Sequence, residues 1–167
     1  MKNELRTHGF TSAIFLSSAH EWRRICLFLE ENHFSSINIS ALYAFSSELF
    51  LKALLINAGF DVAKLRCPIG HKLDSLYNFL SPDVKSTIKS KMAINPVPPG
   101  YDFEWDCVIP GYTSLEEGLA LISDDFIRLR YSCELFNSFD PFFVYRVFSR
   151  DFNAVLAEVA NSIITTA

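Results

Sequence analysis

Glu48 and Lys52 stand one helical turn apart as the only charges of a largely apolar segment, and Arg130 and Glu134 repeat that spacing late in the chain. A charge withdrawn from water needs a partner, and a mutual network of two such pairs would hold two packed helices in register. Antiparallel packing of the two segments would bring Glu48, Lys52, Arg130 and Glu134 together in this way. Structural ion pairs outnumber functional ones, so the network is read first as structural. A chemical role adds His71, because an imidazole exchanges protons near neutral pH. With Arg130 or Arg66 as the cation, His71 could act as base while the guanidinium stabilises an oxyanion, the pairing needed to cleave RNA through a 2′-hydroxyl. The plainer role for His71 is to cap the short helix that follows it.

Other chemistry is thinly represented. Cys67 and His71 are four apart and Cys107 could join them, but a closed zinc site takes four ligands and the fourth is missing. No metal or other cofactor is expected. Cys26 and Cys133 fall on apolar stripes, where a free cysteine behaves as a small hydrophobe. Trp105 and Tyr101 could stack bases, and Arg128 is a further possible RNA contact, although loop aromatics more often anchor a loop to its domain. His8, His20 and His33 read as ordinary surface or loop residues. The sequence contains no phosphate loop, dinucleotide fingerprint, nucleophile elbow or paired catalytic carboxylates.

The elements that must carry these residues are helical. Phe15, Ala19, Trp22, Cys26 and Leu29 recur at steps of four and three, which predicts a helix over about 12–31 with Glu21, Arg23, Arg24 and Glu30 on its wet side. A second helix is expected over about 40–58, with Ser40 as N-cap and Gly59 at the left-handed position after its end. It is apolar on nearly every side, as a buried helix is. A short helix follows over about 72–80, and Ser81-Pro82-Asp83 opens another that ends near Lys91. Ser114 and Glu117 form a capping box. From there Leu115, Leu119, Ile122, Phe126, Leu129, Cys133 and Phe136 keep one rhythm until Asp140-Pro141. A last helix over about 143–164 turns Phe148, Phe152, Val155, Val159 and Ile163 inward. No strand alternation is evident, and the proline-rich connection 93–113 is expected to pack on the bundle through its aromatic residues. The expectation is a single domain spanning residues 1–167, all-α, an antiparallel up-and-down bundle of four long helices with short accessory ones.

A chain of 167 residues can bury a core of its own, and an apolar fraction of 50% with sixteen Phe hints at surface covered by a partner. The net charge of −4 argues against a surface built mainly for phosphate backbones, although Lys85, Lys89 and Lys91 cluster and Arg128, Arg130, Arg146 and Arg150 lie late. No stretch reaches the roughly eighteen apolar residues of a membrane span, the apolar run near the N-terminus is too short for a signal peptide, and the cysteines form no disulfide framework. The expected location is cytoplasmic, with no membrane partner.

Three segments, taken in order and spacing, resemble bacterial proteins of the HEPN superfamily: Ser47-Glu48-Leu49-Phe50-Leu51-Lys52-Ala53-Leu54-Leu55, then Gly70-His71-Lys72-Leu73-x-x-Leu76, then Phe126-x-x-x-Arg130-Tyr131-x-x-Glu134. The resemblance covers about residues 38 to 136. It implies a four- to five-helix bundle, a homodimer, and a role in toxin–antitoxin or phage-defence systems with an antitoxin, another protein or RNA as partner. Active members resemble metal-independent RNases that use Arg-x4–6-His near the start of a late helix, paired across the dimer. Here no histidine follows Arg128 or Arg130 at that spacing, and Leu135 and Phe136 stand in its place. The literal match, Arg66-x4-His71, lies in a loop, with Cys67-Pro68 after the arginine. The resemblance therefore implies a module whose RNase motif has degenerated. A metal-independent RNase is the alternative, and a helical small-molecule sensor with the charged network as its polar handle is a further one.

Overall fold

The computed structural model describes residues 2–33, 36–61, 65, 71–94, 101–103, 107–109, 112–123 and 142–165. They include six helices: α1 (Lys2–Glu31), α2 (Ser36–Asn57), α3 (Leu73–Asn78), α4 (Pro82–Lys91), α5 (Leu115–Ile122) and α6 (Phe142–Ile164). Two three-residue strands, β1 (Tyr101–Phe103) and β2 (Cys107–Ile109), pair antiparallel with Asp102 opposite Val108. The protein is thus mostly helical. The ribbon in the 93–113 connection was not expected, because three residues a side are too few for alternation to register.

Local chemistry explains where several helices begin and end. Ser81 caps α4 by accepting from the Val84 amide, with Pro82 at the first helical position, where its missing N–H loses nothing. Ser114 accepts from the Glu117 amide, while the Glu117 carboxylate reaches back to the Thr113 amide and hydroxyl, one residue earlier than in the standard box. At the end of α2, Gly59 takes φ +92°; its amide donates to Ile56 and that of Phe60 to Leu55, the bond pair of a Schellman stop.

Two expected starts were wrong. α1 begins at Lys2, ten residues before Ser12, because residues 2–11 contain no proline to stop it; Ser12 is buried inside the helix. α2 begins at Ser36, so Ser40 is a buried interior residue and not a cap. Ile39 supplies a reason: it packs with Cys26 and Tyr43 in a small cluster that anchors the extra turn.

α2 is the central element. Along α1 and α2, Ala19 meets Ser46, Trp22 meets Phe45 and Glu30 meets Tyr43, so the pair is antiparallel, as the short connection between them requires. On its other side α2 meets α6. Asn153 bonds Ser46 and Ser47, and further along Ile163 shares a cleft with Leu54 and Leu55, so these two helices run in the same direction. Phe148, Phe152 and Val159 of α6 are buried as expected, with Val155 and Ile163 packed against the same core. Leu115, Leu119 and Ile122 bury the inner face of α5. Gly118 lets α5 close onto α6, since a Cβ there would lie 2.3 Å from the Phe148 ring. Of the aromatic residues in the 93–113 connection, Tyr112 packs edge-on against Phe148, as expected of it. Residues 124–141, and with them the expected later turns of the 114–136 helix, lie outside the described residues.

By length and mean hydropathy the stretch Ile39–Asn57 would pass for a membrane span, contrary to the sequence expectation; 83% of it is buried within the protein, as suits a core helix.

Candidate functional site

On α2 the two charged side chains close on each other. Glu48 precedes Lys52 by one turn, the favourable orientation for such a pair, and Lys52 Nζ lies 2.6 Å from Glu48 Oε1 with both side chains buried. A third group arrives from the segment before α3. His71 Nδ1 lies 3.1 Å from Glu48 Oε1 and 3.2 Å from Oε2. The N-cap position of α3 falls on Lys72, whose side chain makes no cap bond, and His71 is bound to α2; among the described residues no bond from its ring caps α3, the role expected of it.

What holds His71 in place is the anchoring of α3. Leu73, Leu76 and Tyr77 are buried, and Asp74 trades bonds with Ser123 at the end of α5: the serine hydroxyl donates to the carboxylate and accepts from the Asp74 amide. The imidazole keeps 35% of its surface exposed while Glu48 beneath it is sealed. If the ring donates its Nδ1–H to the carboxylate, Nε2 becomes the acceptor, which is how a carboxylate orients a histidine base. The same contacts also serve as a clamp between α2 and the chain entering α3.

A second polar seam was missed in the sequence. Asn153 Nδ2 donates to Ser46 Oγ at 2.9 Å, Ser47 Oγ at 3.1 Å and the Tyr43 carbonyl at 3.4 Å, and Ser46 donates in turn to the Ala19 carbonyl at 2.8 Å. Asn153 Oδ1 and Ser149 Oγ, one turn apart on α6, are buried without a hydrogen-bond partner among the described residues. The available signal was an adjacent serine pair in an apolar helix and one asparagine on the inward stripe of another. His20, expected to be an ordinary surface residue, is half-buried instead. Its Nε2 lies 2.8 Å from Asn161 Oδ1, and its ring meets Phe50 edge-on.

Burial also sets the protonation of the α1–α2 contact. Desolvation, followed by the nearby Glu30 carboxylate, pushes the Cys26 thiol up to about 12, so it stays protonated near neutrality. Desolvation first, and then the hydrogen bond to Glu30, raises the Tyr43 hydroxyl as well.

Of the residues predicted from sequence, Glu48, Lys52 and His71 are therefore brought together. Arg66, Arg128, Arg130, Glu134 and Trp105 lie outside the described residues, and Tyr101 is placed in β1 by its backbone. Cys67 also lies outside them. Among the described residues no three His, Cys, Asp or Glu side chains converge to hold a metal ion. A cleft of about 370 Å³ opens between the ends of α2 and α6 and the start of α4, lined by Leu54, Phe60, Phe79, Leu80, Val84 and Ile163 among others. Neither Glu48 nor Lys52 lines it, so the polar handle expected of a sensor is not in this cleft. No protein-family model, curated protein or solved structure matches the chain.

Proposed function

We propose that the chain is a non-catalytic, HEPN-like helical module that pairs with a second copy and binds a partner, a protein such as an antitoxin or an RNA, in the cytoplasm of a bacterium, in a toxin–antitoxin or phage-defence setting. The observation that carries this reading is the closure of the charged cluster on itself: Lys52 is buried and turned to Glu48, and Glu48 also engages His71. Cleaving RNA through a 2′-hydroxyl needs a base and a cation aimed at one phosphate. The cation of this cluster, Lys52, is committed to the same carboxylate that engages His71.

The second reading, a metal-independent endoribonuclease, draws on the same geometry from the other side, because Glu48 orients His71 and leaves part of the ring exposed. Incubation of purified protein with single-stranded RNA, without added metal, separates the two. The expected result is intact RNA. Cleavage that is lost in His71→Ala, Glu48→Gln and Arg66→Ala, with helical circular dichroism preserved, would install the ribonuclease reading and locate its site.

A further inference from the structure

α1 carries two stripes at steps of four and three. The inner one, Phe15, Ala19, Trp22, Cys26 and Leu29, packs into the two apolar clusters. The outer one runs Ile14, Ser18, Glu21, Ile25, Phe28, and its three large apolar side chains are exposed by 49%, 42% and 59%. Isolated exposed apolar residues are ordinary. Three aligned on one helix face and rimmed by polar residues form a patch of the kind that marks an interaction site. They span about 21 Å of helix at 1.5 Å per residue.

We infer that this outer face of α1 is where two copies of the chain pair, antiparallel about Glu21, with Ile14 of each copy against Phe28 of the other. The inference rests on the self-pairing proposed above and assigns the surface that performs it. The pattern is self-complementary. Ile14 and Phe28 are equidistant in sequence from Glu21, so a two-fold axis there sets each against the other. The same axis sets Ile25 against Ser17 and Ser18 of the second copy, whose small side chains leave a groove for it. The axis brings the two Glu21 carboxylates together, and the two Arg24 guanidinium groups, each one turn away, offset that repulsion in a four-charge cluster with no net charge. Glu21 and Arg24 are exposed and make no ion pair with any described residue of their own chain. Across the axis Arg24 of each copy comes within one turn of Glu21 of the other, giving two equivalent pairs, as an isologous interface requires. Nucleic acid is a poor occupant, because the centre of the face presents a carboxylate to its phosphates.

Sedimentation at micromolar concentration tests the assignment, with circular dichroism as the control for folding. The unaltered chain should sediment as a dimer. Ile25→Glu combined with Phe28→Glu should raise the dimer Kd by at least about thirtyfold, the effect of losing central apolar anchors. Glu21→Lys and Arg24→Glu should each weaken self-pairing by a few-fold. An equal mixture of those two variants should pair more tightly than either alone, because both cross-copy contacts regain opposite charges. Misfolding cannot imitate that rescue. A dimer that survives Ile25→Glu with Phe28→Glu overturns this surface while leaving self-pairing intact. A monomeric unaltered chain removes self-pairing itself and the surface with it.

Discussion

Lys52–Glu48 on α2 and Lys89–Glu116 between α4 and α5 have almost the same length, 2.6 and 2.7 Å, yet they occupy opposite environments. The first is sealed in the core; the second has both side chains about half exposed, as does the neighbouring Lys91–Glu158 pair joining α4 to α6. Distance therefore says little about what each contributes. In the core, solvent screening is weak and desolvation large, so a charge without its partner is costly. At the edge of α4, water and salt can replace either partner. The inner cluster fixes how the chain entering α3 sits on α2, whereas the outer pairs decorate a packing already made by Ile88 and its apolar neighbours.

The largest expected effect follows directly. Glu48→Ala should destabilise the protein by about 3–5 kcal/mol in urea denaturation, because it strands the Lys52 ammonium in the core. Lys52→Met should cost less, since Glu48 keeps His71. Replacing both charges, Glu48→Leu with Lys52→Met, should come within about 1 kcal/mol of the unaltered chain or exceed it, as apolar replacements of buried pairs often do. A double variant as unstable as Glu48→Ala would show that the cluster's value lies in its shape and not in its charge balance.

How much of this was legible in the sequence depends on how local the cause is. Ser81, Ser114 and Gly59 announce helix ends through bonds within a few residues, and all three act as expected. Glu48 and Lys52 pair within one turn, so their bond follows from spacing alone. The early starts of α1 and α2 have no comparable signal: residues 2–11 lack both a stop and an apolar stripe, and Ile39 declares itself only through contact with Cys26 and Tyr43. The capture of His71 by Glu48 spans 23 residues, and its sequence context suggested the plainer role of a helix cap. The outer stripe of α1 has the same rhythm as the inner one, but Glu21 and Arg24 within it carry the signature of a solvated face.

Between the two kinds of ion pair lies the neutral seam. Asn153→Ala should cost about 1–3 kcal/mol, since it leaves Ser46 and Ser47 buried with one donor fewer. The loss should exceed any on the α4 edge and fall below that of Glu48→Ala. Thermal unfolding of Glu48→Ala, Asn153→Ala and the α4-edge variant Lys89→Gln under one buffer checks the order, and an Asn153→Ala loss equal to that of Glu48→Ala would remove the distinction between neutral and charged burial here.

The smallest effect is expected at Lys89–Glu116, and pH makes it separable. The Lys89 ammonium, hydrogen-bonded to Glu116, holds that carboxyl below the usual carboxylate range. A lowered native value means that the unfolded chain binds more protons as acid is added, so the contribution is complete above the unfolded value of about 4.3 and fades as pH falls through the lower native one. With both side chains about half exposed, screening limits the pair to less than about 1 kcal/mol. Lys89→Gln should therefore lower stability slightly at pH 7 and low salt, with the difference shrinking on acidification below about pH 4 and in roughly 1 M salt. Paired urea titrations of the unaltered chain and Lys89→Gln at pH 7 and pH 3 give the measurement. A difference that persists unchanged at pH 3 would mean that Lys89 acts through the packing of its aliphatic stem against the α4–α5 contact, and the exposed pair would then owe nothing to its charge.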